Sequence, residues 1–318
     1  MSAPSSNSLH FVGVELAAST VRAALVSADG RVVERREAAP TPEGVAGGVA
    51  RLVADLRDSA PGGVGGIGVG VPGLVSPETG RVVISTDVPA AARGDLQAEL
   101  REATGLSVVL DNDANAGALG EYTSGAGRGS RNMFYITIGT GIGGALILEG
   151  RLWRGASGFA GEFGHITIDS EGIECTCGNT GCLETVASAP NIVRRTHERL
   201  MRDSTSSLSR LGLNKNFTAA DIAHEARNGD DFAMLMIERT GRYIGTAVAA
   251  VINLLNIERI VLGGGVMDAG ELILNPIIRE ARRRSFQPCF EATQIVAASL
   301  GPDSVTTGAA VLARDAAA

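Results

Sequence analysis

Lysine is almost absent from this 318-residue chain, which carries a single one, Lys215. A Walker A loop needs the triplet Gly-Lys-Ser/Thr, so the sequence excludes P-loop nucleotide chemistry. Lysine and arginine together number 28 against 35 acidic residues, which gives a net charge of −7. Because no basic field would attract a polyanion, we expect no nucleic-acid partner. Any phosphate that this protein handles must be held by backbone N–H groups, magnesium or arginine.

Long apolar runs are missing as well. No segment approaches the ~20 residues of a membrane span, so we expect no membrane partner. The opening residues MSAPSSNS contain no apolar stretch, which is not typical of a signal peptide. Cysteine is scarce, and three of the four cysteines are clustered. Clustered thiols without a secretory signal favour a reducing compartment, so we expect a cytoplasmic protein.

The order of apolar segments predicts an α/β protein built from two similar halves. A β-meander over residues 9–37 is followed by alternating helices and strands, and a second meander begins at residue 132. The stretches VGVELAASTVRAALVSADGRVV and FYITIGTGIGGALILEGRLW place similar turns at similar spacing, which indicates an internal duplication. We expect a smaller domain in residues 1–120 plus the terminal helix of 301–318, and a larger one in 121–300.

One short segment holds an imidazole and three thiols, from His165, Cys175, Cys177 and Cys182. The spacing H-x9-C-x-C-x4-C can complete a tetrahedral shell around Zn²⁺, which prefers sulfur and nitrogen ligands. A shell made only of protein ligands leaves no position for water, so this zinc would be structural. The alternative is a group of reduced, buried thiols beside a core histidine.

The segment Asp111-Asn112-Asp113-Ala114-Asn115 lies where a strand is expected to end and a helix to begin. Ligands commonly bind at such junctions in α/β sheets. Asn112 offers a donor and an acceptor that suit a pair of sugar hydroxyls. Asp113, at a helix N-terminus, could accept the proton of an attacking hydroxyl. The alternative is that both side chains only cap the helix.

Two glycine-rich turns could bind phosphate through their backbone N–H groups. They are TIGTGIGGA (137–145) and LGGGVM (262–267), with candidate contacts at Thr140, Gly141, Gly143, Gly263, Gly264 and Gly265. The alternatives are a tight turn without a ligand and a close approach between a helix and a strand.

A face that binds hydroxyl groups is predicted beside the zinc segment. Glu162 and His165 are three residues apart among glycines, and Glu184 follows the last thiol closely. An imidazole that ligates zinc through one nitrogen can donate its other N–H to a substrate hydroxyl. The alternative is that the carboxylates only support the zinc ligands or are solvated.

These motifs, in this order, resemble the ROK family of repressors, open reading frames and sugar kinases over residues 11–314. LDNDANAGALGE is similar to its sugar-binding segment, TIGTGIGGALILEG to its second phosphate loop, and GEFGH with CTCGNTGCLE to its zinc signature. The resemblance implies an actin-like ATPase (ribonuclease H-like) fold with two α/β domains around a central cleft. It also implies an ATP- and Mg²⁺-dependent hexose kinase with structural Zn²⁺, assembled as a homodimer or homotetramer.

The resemblance also implies roles for single residues. Asp113 would be the catalytic base. The hexose would be bound by Gly73, Asp87, Asn112, Glu162, His165 and Glu184. The first phosphate loop departs from the family pattern Asp-x-Gly-Gly-Thr-Lys, since residues 15–20 read ELAAST. Ser19 and Thr20 can still donate hydroxyl hydrogen bonds to nucleotide phosphates.

We therefore expect ATP-dependent phosphorylation of a hexose, with glucose converted to glucose 6-phosphate as the first candidate. Two alternatives remain. One is a non-catalytic sugar-binding sensor, which the loss of glycine from the first phosphate loop favours. The other is a kinase for N-acetylmannosamine, N-acetylglucosamine, fructose or mannose. Asp87, which stands where the family has an asparagine that touches the sugar, keeps this second alternative open.

Overall fold

The computed structural model describes residues 9–17, 19–39, 44–85, 95–201, 206–210 and 217–317. The described residues of the first part of the chain form seven strands and three helices. These are β1 (His10–Leu16), β2 (Val21–Ser27), β3 (Val32–Ala38), α1 (Gly44–Arg57), β4 (Val64–Val71), β5 (Leu74–Val75), β6 (Val82–Ile84), α2 (Leu96–Thr104), β7 (Val108–Asn112) and α3 (Asp113–Ser124).

The remainder adds five strands and seven helices among the described residues. These are β8 (Met133–Ile138), β9 (Ile142–Leu148), β10 (Arg151–Trp153), α4 (Glu184–Ala187), α5 (Ala189–Leu200), α6 (Ala219–Arg227), α7 (Asp231–Leu255), β11 (Arg259–Gly263), α8 (Glu271–Arg284), α9 (Gln287–Glu291), β12 (Gln294–Ala297) and α10 (Ser304–Ala317). Strand β11 ends at Gly263, because Gly264 adopts a φ of +87°.

The two large sheets have the same strand order, as the internal duplication predicts. The first runs β3-β2-β1-β4-β7 and the second β10-β9-β8-β11-β12. In the first sheet, β1 pairs antiparallel with β2 and parallel with β4, and β4 pairs parallel with β7. In the second, β11 pairs parallel with both β8 and β12. Each sheet is therefore a meander extended by two parallel strands.

Strand β1 shows how the first sheet is buried on both faces. Val12 and Val14 pack into an apolar cluster with α1 and α2, which includes Leu52 and Leu100. Phe11 points to the opposite face and packs against α10. Because successive side chains alternate between faces, an almost fully apolar strand is required here.

The backbone of helix α10 packs directly against the face of the first sheet that Phe11 occupies. A Cβ on Gly13 would lie 1.7 Å from Thr306 O, and one on Gly68 would lie 1.7 Å from Ala309 O. A Cβ on Gly308 would lie 1.7 Å from Ala116 O of α3. Only glycine fits at such contacts, so this cluster of small residues seats α10 against both the sheet and α3.

Contacts divide the chain into two compact units. One contains residues 1–131, 145–161 and 298–318, and the other 132–144 and 162–297. The predicted boundary at residue 120 therefore needs correction, since 121–131 and 145–161 pack with the first unit. Within the described residues, no helix is long and apolar enough to cross a membrane.

Candidate active site

The predicted catalytic segment is the junction between β7 and α3. Asn112 is the N-cap of α3, and its Oδ1 accepts a hydrogen bond from Asn115 N–H at 3.1 Å. The capping alternative is therefore correct for this oxygen. The amide nitrogen does something else, since Nδ2 donates to Gly73 O at 3.0 Å and to Asp113 Oδ1 at 3.1 Å. Asn112 thus links the start of α3 to Gly73 and Asp113, two other predicted site residues.

Asp113 is the first residue of α3, and its Oδ1 also accepts from Ala114 N–H at 2.9 Å. The N-terminal turn of a helix favours negative charge because its N–H groups point outward. The local sequence therefore fixes one oxygen of a carboxylate at this position. Such a group is suited to accept a proton from a hydroxyl that lies against it.

Gly73 supplies its carbonyl oxygen to Asn112 from a conformation with φ +101°. A Cβ at this position would lie 2.2 Å from Ile84 O, so no side chain fits. The structure therefore brings Gly73 together with Asn112 and Asp113. The predicted contact of Asp87 with the sugar falls outside the described residues.

Sequence reasoning missed one charged partner of this segment. Arg154 donates from Nε and Nη2 to Asp111 Oδ2 at 3.0 and 2.6 Å. The Asp111 side chain is only 8% exposed. The one available signal was an acid in an apolar strand, since a buried carboxylate requires a partner. The sequence did not identify that partner.

The four predicted zinc ligands lie together. Their ligand atoms are all within 4.8 Å of one another. Cys175 Sγ is 3.7 Å from His165 Nδ1, and Cys177 Sγ is 3.7 Å from Cys182 Sγ. A tetrahedral zinc with 2.3 Å bonds to sulfur separates its ligands by about 3.8 Å. The donor set and its spacing therefore fit Zn²⁺.

Binding of a metal ion by these thiols would release their protons. Burial, with hydrogen bonds to the Cys175 and Cys177 thiols, raises the pKa of Cys182 to about 12. Three neighbouring thiolates would repel one another without a positive charge between them. Zn²⁺ would supply that charge, since it binds the deprotonated form of the ligands.

The backbone around the cluster depends on two glycines. Gly178 and Gly181 have φ of +88° and +71°. A Cβ on Gly181 would lie 1.6 Å from Asp169 O. Cys175 N–H donates to Asn179 O at 2.7 Å and closes the turn between the thiols. The turn is therefore compact enough to bring the three thiols close together.

His165 presents its two ring nitrogens to different partners. Nδ1 faces Cys175, whereas Nε2 lies 3.8 Å from Glu162 Oε2. Burial raises the pKa of the Glu162 carboxyl, His165 lowers it, and the nearby Glu184 carboxylate raises it. The structure thus gathers the three residues of the predicted hydroxyl-binding face, with the Nε2 side of the imidazole turned away from the thiols.

Glu184 is also bound to the first glycine-rich turn. Its Oε2 accepts from Ile142 N–H at 2.9 Å. Helix α5 holds the backbone of α4 in place, because side chains of α5 donate to three successive carbonyls of α4. These bonds are Asn191 Nδ2 to Glu184 O, Arg194 Nη2 to Thr185 O and Arg195 Nη1 to Val186 O. The carboxylate is therefore fixed from a rigid element.

The two glycine-rich turns are neighbours. They follow β8 and β11, which pair parallel, with Thr137 opposite Gly263. A Cβ on Gly264 would lie 2.4 Å from Ile138 O, whereas Cβ atoms on Gly139 and Gly265 would meet nothing within 4 Å. Ligands of α/β proteins bind at the carboxyl ends of such strands. Thr140 and Gly141 are exposed there, and Gly143 is half-buried.

The first phosphate loop, whose sequence differs from the family pattern, forms the hairpin turn between β1 and β2. Ala17 N–H donates to Thr20 O at 2.9 Å, and the Ser19 and Thr20 hydroxyl oxygens are 3.5 Å apart. Glu15 is paired with Arg22 at 3.1 Å. Burial raises the pKa of Glu15, and Arg22 lowers it. The only cation paired with Glu15 among the described residues therefore comes from the next strand.

Comparison with known proteins gives one consistent result. A family model described as the ROK family matches residues 11–316. The chain is 36% identical to a glucokinase of Halalkalibacterium halodurans, over 94% of this chain and 93% of that protein. It is 31% identical to a xylose repressor of Caldicellulosiruptor bescii, over 81% of this chain and 66% of that protein.

A solved structure is similar over nearly its whole length. It is a ROK family glucokinase from Streptomyces griseus in complex with glucose and AMPPNP, with a TM-score of 0.85 and 33% identity. The match covers 96% of this chain and 99% of that one.

Proposed function

This chain belongs to the ROK family and is an ATP-dependent hexose kinase, and we propose that Asp113 is its catalytic base. Its fold is accordingly the actin-like ATPase fold predicted from the sequence. Similar glucokinases indicate glucose as the substrate and glucose 6-phosphate as the product. The observation that carries the assignment of the base is the carboxylate fixed at the start of α3 by Asn112 Nδ2 and Ala114 N–H.

The reaction moves the γ-phosphoryl group of ATP to a hexose hydroxyl. Asp113 takes the hydroxyl proton while the oxygen forms its bond to phosphorus, and ADP leaves with the electrons of the broken bond. Asn112 positions Asp113 relative to the hexose. Glu162, His165 Nε2 and Glu184 are proposed to bind hexose hydroxyls, and Gly73 is proposed as a further hexose contact. Rigid placement of this kind is the main catalytic contribution that such a site makes.

Phosphate oxygens would be bound by the backbone N–H groups of the two glycine-rich turns, helped by the Ser19 and Thr20 hydroxyls. Mg²⁺ bound with ATP would neutralise phosphate charge. Glu15 is not assigned to that ion, since it is already paired with Arg22. Within this proposal Glu184 bridges hexose and phosphate binding, because its Oε2 holds Ile142 of the first turn.

Zn²⁺ bound to His165, Cys175, Cys177 and Cys182 would be structural. Its proposed effect is to fix the His165 ring so that Nε2–H points toward the hexose. We also propose a cytoplasmic location, where the free thiols remain reduced, and a homodimer or homotetramer. Size-exclusion chromatography with light scattering tests the assembly.

The sensor alternative is favoured by the alanines in the first loop and by similarity to a xylose repressor. A coupled assay of ADP release over glucose, mannose, fructose and the two N-acetylated sugars decides between the readings. We expect turnover with ATP·Mg²⁺ and the highest kcat/KM for glucose. Calorimetry that detects hexose binding but no nucleotide binding at millimolar ATP would refute the kinase assignment.

A further inference from the structure

The ion pair between Arg154 and Asp111 has a geometry that a simple surface pair lacks. Two N–H groups of one guanidinium converge on Asp111 Oδ2, at 2.6 and 3.0 Å. Arg154 is 31% exposed and Asp111 only 8%. A charge removed from water to this extent carries a desolvation cost that the ion pair only roughly offsets. Stability alone is therefore a weak explanation for the pair.

The other oxygen of Asp111 is committed to the catalytic junction. Oδ1 accepts from Asn112 N–H at 2.8 Å and from Asn115 Nδ2 at 2.8 Å. Asn115 N–H in turn donates to Asn112 Oδ1, and Asn112 Nδ2 donates to Asp113 Oδ1. A continuous chain of hydrogen bonds thus runs from the guanidinium to the carboxylate of Asp113.

Arg154 is itself held by the loop that follows it. Ala160 N–H donates to Arg154 O at 2.9 Å, which closes the loop over residues 154–160. Gly155 and Gly158 have φ of +76° and +92° and allow this tight return. The side chain therefore reaches Asp111 from a fixed backbone.

From these contacts we propose that Arg154 is a positioning residue for phosphoryl transfer: its ion pair with Asp111 fixes the turn that carries Asn112 and Asp113. The inference rests on the proposed function, because it assigns a role toward the same base. Arg154 acts through Asp111 and does not need to touch either substrate. A displacement of the base by about 1 Å is enough to lower turnover by roughly 100-fold.

The test compares kcat, hexose KM and the thermal unfolding midpoint of Arg154→Met, Arg154→Lys and Asp111→Asn. Arg154→Met and Asp111→Asn should each lower kcat by roughly 10–100-fold, with a smaller change in hexose KM. Asn at position 111 can keep the Oδ1 bonds but presents an amide group to the guanidinium. Lysine keeps the charge and can still donate hydrogen bonds but loses the planar fork of the guanidinium, so its kcat should be intermediate.

A matched control exists in the same unit. Arg35 donates from Nε and Nη2 to Asp303 at 2.8 and 2.6 Å, remote in sequence from the catalytic junction. Arg35→Met should leave kcat unchanged. Both methionine variants remove an arginine–carboxylate pair with two hydrogen bonds. The comparison therefore separates the general effect of losing such an ion pair from the specific effect of losing the pair with Asp111.

The outcomes are distinct. Wild-type kcat in Arg154→Met, or an increase confined to KM, would overturn the inference while the wild type still turned over. A loss of kcat that is fully explained by a smaller fraction of folded protein would overturn the inference as well. If Arg154→Met does not fold, normal kcat in both Arg154→Lys and Asp111→Asn overturns it. A wild type inactive with every hexose refutes the proposed function, and this inference fails with it.

Discussion

Replacing Glu121 by glutamine should destabilise the unit that contains helix α3. Glu121 lies in the last turn of α3 and is fully buried, with 0% exposure. Its Oε2 accepts from Ala126 N–H at 2.8 Å and Ser299 N–H at 3.1 Å, and its Oε1 from Leu300 N–H at 2.9 Å and Ser304 Oγ at 2.7 Å. One carboxylate thus joins α3 to the segment that leads into α10.

The magnitude follows from these partners. Glutamine keeps one oxygen, and the better orientation leaves it at Oε2, where two backbone donors need it. The amide NH₂ then faces Leu300 N–H, which cannot turn away, whereas the Ser304 hydroxyl can rotate and accept. One orphaned backbone donor costs about 1–3 kcal/mol, and the remaining bonds lose their charge assistance, at about 1 kcal/mol more. We expect the free energy of unfolding to fall by about 2–4 kcal/mol.

Thermal unfolding followed by circular dichroism measures the effect. For a unit of this size each kcal/mol lowers the midpoint by roughly 2–4 °C, so a decrease of roughly 5–15 °C is expected. Glu149→Gln is the matched control, because Glu149 forms an ion pair with Arg131 in which both side chains are about 70% exposed. It should shift the midpoint by no more than about 2 °C. Equal midpoints for the wild type and Glu121→Gln would refute this account of the buried carboxylate.

Three further predictions concern the site. Purified protein should contain about one zinc per chain; Cys177→Ser should lose it together with hexose affinity, whereas Cys289→Ser, outside the cluster, should retain both. Metal analysis and calorimetry measure this, and zinc-free fresh protein would exclude the site. Asp113→Asn should bind hexose nearly normally but lose kcat by roughly 10²–10⁴-fold; normal kcat at saturating hexose would assign the base elsewhere. A Cβ on Gly141 would lie 2.9 Å from Oε2 of Glu184, a proposed hexose ligand, so Gly141→Ala should weaken hexose binding without ATP several-fold. Gly139→Ala, which meets nothing within 4 Å, is its control, and equal hexose affinities would argue against this contact.

The sequence by itself determined the features that depend on local chemistry. Histidine and cysteine spacing predicted that His165, Cys175, Cys177 and Cys182 lie together, since ligands within one short loop need only a compact turn between them. The capping residue Asn112 predicted the start of α3, because an N-cap satisfies N–H groups within its own first turn. The duplicated meander predicted two similar halves, because strand periodicity and short turns are properties of consecutive residues. The two sheets do have the same strand order.

Only the tertiary structure decided which distant groups meet. Arg154 and Asp111 are 43 residues apart, Glu184 and Ile142 are 42 apart, and Glu121 reaches Ser299 across 178 residues. Each contact joins a charged side chain to a partner that comes within reach only when separate elements pack. A single sequence shows that a buried carboxylate needs donors, but it does not show which ones, because that choice is made by the packing of whole strands and helices against one another.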